Sequence, residues 1–232
     1  MRYLLHSGGL DSHVAWLLDP DRVPVYVCHD ARNQHRELAA LADLADNDPS
    51  FAPLIIDGLS VGHGATLDGH VRHRNLVLLV TVAAHLHANE VVYAAVRGEA
   101  SADKSPEFVR ALDRTLRISE GTRLVAPLLR WTKGQAVRAA LDAAHDRDKA
   151  VEALLLTRSC YSAEAPECGQ CQACYRRHLA LWQAGMQDTP PDHLPTETDG
   201  AWANLRRTPL RRWPDLARAN TVAVRAWLAS RR

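Results

Sequence analysis

Apolar residues fall into two alternating patterns along most of the chain. Residues 2–6, 23–28, 53–56, 90–96 and 123–126 are short apolar runs, several rich in β-branched or aromatic residues, and predict five buried strands. Between them lie stretches with helical spacing. One follows Leu10 and reaches Leu18, where Asp19, Pro20 and Asp21 stop it. Residues 33–46 carry Leu38, Leu41, Leu44 and Ala45 on one face, and residues 73–88 and 107–118 form further helices. Thr132 is placed to cap a helix over 132–144, and a last helix runs from beyond Cys174 to Gly185. Strand and helix in repeated succession predict an α/β fold, a parallel five-stranded sheet with helices on both faces. No internal repeat of 20 to 50 residues is present.

Composition narrows the class. With 232 residues, 47% hydrophobic and 24% charged, the chain is neither disordered nor fibrous. A formal net charge of +1 gives no global reason to expect nucleic acid or a membrane surface as the main ligand, so an anion must be held locally. The apolar stretch after Met1 is too short for a signal segment, and the run from Leu76 to Leu86, broken by Thr81 and His85, is too short for a membrane span. A cytoplasmic protein is expected.

Ser7-Gly8-Gly9-Leu10-Asp11-Ser12 stands where the first strand turns into the first helix. Paired glycines let the backbone turn tightly and approach a ligand. Unpaired N–H groups of a helix N-terminus, with two serine hydroxyls, suit a phosphate. The segment lacks the lysine of a Walker A loop and the spacing of the dinucleotide fingerprint; Gly62-His63-Gly64 opens like that fingerprint, but Leu67 breaks it.

Four of the five cysteines crowd together as Cys160, Cys168, Cys171 and Cys174. This C-x7-C-x2-C-x2-C spacing, with Gly169 in the knuckle, matches a closed tetrahedral Zn²⁺ site of structural type. An iron–sulfur cluster and a redox dithiol are the alternatives. Cys28, on an apolar strand, reads as a core residue. The twelve histidines, His63, His70 and His73 among them, have no diagnostic metal spacing and read as loop or surface residues, with His63 and His70 candidates for a lid. Residues 202–232 hold eight arginines and three tryptophans, which reads as an amphipathic tail packed on its own domain or as a docking arm.

The Ser7–Ser12 segment is similar to the SGGxDS signature of the PP-loop ATP pyrophosphatases. Together with the cysteine knuckle in TRSCY…CGQCQACYRR, HRNLVLL (73–79), EFVRAL (107–112) and APLLRWTKGQAV (126–137), it resembles the QueC family, the 7-cyano-7-deazaguanine synthases. The resemblance covers most of residues 3–185 and implies an adenine nucleotide α-hydrolase-like fold. It divides the chain into a nucleotide-binding domain over 1–150, a zinc-binding helical region over 151–186, and a proline-containing linker and tail over 187–232.

The same resemblance implies an ATP-dependent carbon–nitrogen ligase. It would adenylate the carboxylate of 7-carboxy-7-deazaguanine and add ammonia to give the amide and then the nitrile. By motif, Ser7, Gly8, Gly9, Leu10, Asp11 and Ser12 would hold the phosphates, with Asp11 also contacting Mg²⁺, and Val27 would lie beside adenine. Arg74 and Lys133 join Asp11 as catalytic candidates, Asn75 and Asp103 as substrate-binding ones. The implied cofactors are ATP, Mg²⁺ and Zn²⁺. Two segments depart from the family pattern: Asp30-Ala31-Arg32-Asn33-Gln34-His35 keeps only the first and last residues of Asp-Tyr-Gly-Gln-Arg-His, and a shortened segment over 99–105 replaces the family's Ser-Gly-Tyr-Pro-Asp-Cys-Arg stretch without its aromatic platform. The changed base segment leaves three readings open: the ligase above, an enzyme that passes the same adenylate to an amine of a partner protein, and a nucleotide-binding module without turnover. A homodimer is left open as well.

Overall fold

The computed structural model describes residues 1–61, 71–99, 101–160, 167–168 and 171–186, together with Val222, Arg225, Ala226 and Ala229. The glycine-rich stretch with His63 and His70, the fingerprint-like Gly62-His63-Gly64, Gly169, the proline-containing linker and most of the Arg/Trp-rich tail lie outside the described residues.

Five strands, β1 (Arg2–Leu5), β2 (Val23–Val27), β3 (Leu54–Ile56), β4 (Glu90–Val92) and β5 (Arg123–Val125), form one sheet in the order β3-β2-β1-β4-β5. Every pairing is parallel, with Tyr3 opposite Val23 on one side and Val91 on the other. Side chains on successive strand residues point to opposite faces, and here both faces are apolar. Leu4, Tyr26 and Val92 enter one buried cluster, whereas Tyr3, Val25, Val27 and Val91 enter the other.

Helices cover both faces. α1 (Leu10–Leu17), α2 (Gln34–Asn47), α5 (Lys133–Ala143), α6 (Arg147–Leu156) and α7 (Gln172–Gln183) contribute to the first cluster, and α3 (Arg74–His85) and α4 (Pro106–Glu120) to the second. Leu4, Leu10, Leu44, Phe51 and Leu154 are fully buried; each such side chain contributes about 1.5–3 kcal/mol. Local chemistry sets the helix ends. Ser105 accepts a hydrogen bond from the Phe108 N–H with Pro106 at the first helical position, and Gly121 closes α4 in the left-handed region at φ 73°. Thr132 and Gln135 form a reciprocal capping box on α5.

Most element ends shift by a few residues, and one strand end and one helix depart further from expectation. The fourth strand stops at Val92: the Tyr93 N–H donates the last sheet bond to the Val125 carbonyl, and the buried segment 93–96 then leaves the ladder toward the cleft. Helix α6 was not expected. Its apolar residues lie nearly all round it, so it lacks a polar stripe, and its start is marked by Asp146, which accepts from the Lys149 N–H.

The chain rises through β1, β2 and β3 on one side of the sheet, then crosses so that β4 lies beside β1. Strand order reverses between β1 and β4. Their carboxyl ends therefore part and leave a crevice, the usual ligand position in an open α/β sheet.

Candidate active site

The crevice is lined by Leu5 and His6 from β1 and its exit, by Ser7, Gly9, Leu10, Asp11 and Ser12, by Val27 and His29 after β2, and by Tyr93 and Ala94 after β4. It encloses about 1190 Å³, counting its open mouth. Gly8 lies beneath it. At φ 68° Gly8 occupies the left-handed region, and a Cβ there would stand 2.9 Å from both the Ala40 Cβ and the Glu37 carbonyl oxygen of α2. Only glycine fits. The turn is tied on both sides: the Gly8 N–H donates to His6 Nδ1 at 3.1 Å, and its carbonyl accepts from the Arg158 N–H at 2.9 Å. Gly9 is the N-cap of α1, so the first N–H groups of that helix open onto the crevice, while Ser12 Oγ donates to the Gly9 carbonyl at 2.9 Å.

Histidines were expected on loops or the surface, yet His6, His13 and His29 are buried. His6 and His13 pack edge to face, and Trp16 and Phe51 complete an aromatic cluster beneath the phosphate loop. Burial, reinforced by His13, holds His6 well below the usual imidazole range, and burial takes His13 down to about 4 against the opposing pull of Asp48. Because His6 Nδ1 accepts from Gly8, the neutral ring carries its proton on Nε2. These rings replace aliphatic packing with a fixed acceptor for the loop.

A charged cluster occupies the other wall. Lys133 Nζ lies 2.9 Å from Asp11 Oδ2 and 3.7 Å from Glu99 Oε1. Glu99 also faces Arg176 Nη1 at 3.2 Å and Lys104 Nζ at 3.8 Å. Burial alone would raise the Glu99 pKa, but Lys104, Lys133 and Arg176 outweigh it and hold the carboxyl well below its usual range. Burial likewise opposes the charge on Lys133, and Asp11 and Glu99 reverse that, so its pKa lies above normal. Glu99 and Lys133 thus each favour the charged form of the other.

Arg74 and Asn75 open α3 and line the same crevice. The preceding His73 is left-handed at φ 56°, a backbone kink that sets the direction from which α3 enters. Asn75 Nδ2 donates to Asp103 Oδ2 at 2.7 Å, and Ser101 Oγ donates to Asp103 Oδ1. Asp103 is thus joined to the wall through Asn75. Toward the β2 end, the Tyr26 hydroxyl donates to Glu37 Oε2 at 2.8 Å and Asn33 Nδ2 to Oε1 at 3.0 Å. Burial raises the Glu37 pKa despite these donors. Cys28 is buried in the core, as expected, and burial followed by Asp57 pushes its thiol up to about 11.

The four cysteines come together beside this wall. Their sulfurs all lie within 4.8 Å of one another, with Cys160–Cys168 at 3.5 Å and Cys171–Cys174 at 3.6 Å. Four sulfurs held about 2.3 Å from a tetrahedral ion stand about 3.8 Å apart, so the donor set fits Zn²⁺. The Cys168 and Cys171 N–H groups donate to Cys160 and Cys168 sulfur at 3.4 and 3.3 Å, as a metal knuckle requires. The Cys174 thiol is pushed far up by its hydrogen bond with Cys171, then by burial and the neighbouring thiols; a cation is what allows such a set to ionise together. The cluster can hold a metal such as zinc.

With this geometry in hand, comparison with known proteins is decisive. The family model described as "Queuosine biosynthesis protein QueC" matches residues 56–185. The chain belongs to the QueC family. Among similar proteins, the 7-cyano-7-deazaguanine synthase of Prochlorococcus marinus (strain MIT 9303) is 30% identical over 218 residues, covering 79% of this chain and 93% of that protein. The one from Methanothrix thermoacetophila is 29% identical over 79% of this chain and 95% of its own length. Against the synthase of Marinomonas sp. (strain MWYL1), identity is 33% over 125 residues, and the chain spans about half of that relative, 54%. That family is described as one of queuosine biosynthesis. Among the described residues, no helix is long and apolar enough to cross a membrane.

Of the residues singled out from sequence, the QueC crevice brings together Ser7, Gly9, Leu10, Asp11, Ser12, Val27, Arg74, Asn75 and Lys133, with Cys160 at its edge. Gly8 supports it from behind, and Asp103 reaches it through Asn75. Sequence reasoning passed over Glu99, Lys104, Arg158 and Arg176 as crevice residues. Arg176 lies two positions past Cys174, so the knuckle motif itself carried the one available signal.

Proposed function

We propose that the protein is an ATP-dependent carbon–nitrogen ligase of 7-cyano-7-deazaguanine synthase type. The observation carrying this reading is the convergence of the α1 N-terminus, Lys133 and Arg74 on one crevice at the sheet's reversal point. In the proposed reaction the carboxylate of 7-carboxy-7-deazaguanine attacks the α-phosphorus of ATP, the bond to the bridging oxygen breaks, and pyrophosphate leaves. The N–H groups of α1 with Ser7 and Ser12 would hold the departing pyrophosphate, and Lys133 would neutralise charge as it develops, an electrostatic task. Asp11 would hold Mg²⁺, which supplies further positive charge to the phosphates. Arg74 would lie between nucleotide and base, and Asn75, which donates to Asp103, would orient that carboxylate for the base. Ammonia would then displace AMP to give the amide, and a second ATP would drive loss of water to the nitrile.

The test incubates purified protein with ATP, Mg²⁺, ammonium and the carboxylic acid, following AMP release and product mass. Nitrile or amide formed with AMP supports the reading. A deazaguanine adduct on an added protein would instead favour a protein amine as acceptor. ATP bound without substrate-dependent AMP would leave a nucleotide-binding module and overturn the ligase.

A further inference from the structure

The four-cysteine knuckle is built into the wall of the crevice. Cys160 and Ala173 line it directly. Two positions before Cys160, the Arg158 N–H donates to the Gly8 carbonyl at 2.9 Å, and the Arg158 carbonyl lies 3.4 Å from where a Gly9 Cβ would be. Two positions after Cys174, Arg176 reaches Glu99 at 3.2 Å, and Glu99 in turn faces Lys133, the partner of Asp11. The two cysteines of the knuckle buried deepest therefore flank two straps, one to the phosphate loop and one to its cations. Cys171 is the N-cap of α7, so the position of the cysteines also sets the start of the helix that presents Arg176.

We propose that metal binding at the knuckle and nucleotide binding in the crevice are energetically coupled, with Glu99 as the positioning residue that transmits the effect from Arg176 to Lys133. The knuckle draws four sulfurs from two separated segments around one ion, and this fixes residues 158 and 176 relative to each other. Besides the ion, Arg177 Nη2 donates to the Leu154 and Leu155 carbonyls at 3.2 and 3.0 Å, so loss of the ion loosens the two straps without freeing them. A nucleotide gains affinity from a wall already in place, and thermodynamic reciprocity requires it to retain the metal more tightly. The inference rests on the crevice being the nucleotide site.

The experiment measures Mg²⁺-ATP binding by calorimetry to zinc-loaded and zinc-depleted full-length protein, with circular dichroism to verify that the depleted form keeps its helices. In parallel, Zn²⁺ release to a chelating dye is timed with and without Mg²⁺-ATP. Coupling predicts ATP affinity at least fivefold weaker in depleted protein and Zn²⁺ release at least fivefold slower with ATP present. Glu99→Gln should keep one zinc per chain while reducing both ratios by at least half, a change that a purely structural knuckle would not produce. Loss of helicity on depletion leaves the release assay on loaded wild type and Glu99→Gln to decide. Smaller ratios, or equal ratios in wild type and variant, overturn the coupling and leave the nucleotide reading intact. No ATP binding by the loaded protein overturns both.

Discussion

Adding one methyl group at Gly8 changes shape in the phosphate loop and leaves every charge in place. Gly8 has φ 68°, and a Cβ would meet the Ala40 Cβ and the Glu37 carbonyl at 2.9 Å. The left-handed conformation costs an L-residue about 1–2 kcal/mol. The overlap adds about 1–3 kcal/mol, because the Glu37 carbonyl is helix backbone and α2 is anchored in the core by Leu41 and Leu44. Stiffening of the unfolded chain returns only about 0.4–1 kcal/mol. Gly8→Ala should therefore lose roughly 1–5 kcal/mol. For a chain of this length, each kcal/mol moves the melting temperature about 2–4 °C, so a fall of roughly 2–20 °C is expected. Gly9→Ala is the control. Its φ of −87° is ordinary, and its Cβ would meet Ser7 Oγ at 3.2 Å and the Arg158 carbonyl at 3.4 Å, contacts that a small adjustment relieves. It should cost less than about 1 kcal/mol and act mainly on ATP affinity. Urea denaturation and calorimetric ATP titration of both variants test this. Gly8→Ala with unchanged stability, or Gly9→Ala as the more destabilised of the two, would refute the reasoning.

Three further outcomes follow from the same geometry. Lys133→Met leaves Asp11 and Glu99 without their shared cation and should cut AMP formation at least 100-fold, about 3 kcal/mol, with ATP affinity also reduced in a calorimetric titration. His13 has a folded pKa of about 4, below its unfolded value, so the unfolded chain binds the proton more readily; stability should fall as pH drops through that window, by roughly 2 kcal/mol between pH 6.5 and 5. His13→Leu should flatten that slope in denaturation at each pH. Asn75→Ala removes the donor that holds Asp103 and should raise the KM for the deazaguanine acid about tenfold, roughly 1.4 kcal/mol, while the Kd for ATP stays within twofold; an equal loss of both would contradict the division of the crevice.

Much of the fold was legible because it rests on short-range rules. Apolar runs bounded by Asp-Pro-Asp or glycine gave the strands, and Thr132 gave the start of α5. Helix α6 escaped because Ala150, Ala153 and Leu154 are buried while Val151, Leu155 and Leu156 are partly buried around them, which erases the polar stripe that normally signals a helix. The buried histidines escaped for a related reason. A histidine such as His6 differs from a loop histidine only through a remote partner, Phe51, that packs against its ring.

The candidate site divides along the same line. Ser7–Ser12 and the cysteines carry their chemistry in their spacing, whereas Glu99 acquires significance only when Lys104, Lys133 and Arg176 arrive from three separate elements. That convergence resolves the tension between a nearly neutral chain and a polyanionic ligand. Among the described residues, six basic side chains, Arg36, Arg74, Lys104, Lys133, Arg158 and Arg176, line the crevice against three carboxylates, Asp11, Glu37 and Glu99. Burial raises the Glu37 pKa against the pull of its donors. Glu99 is instead held well below its usual range by the surrounding cations, and Asp11 and Glu99 together raise the Lys133 pKa in a partly desolvated wall. A cation held this way loses little freedom when a phosphate arrives, so the carboxylates prepare the crevice for an anion even though each lowers its net charge.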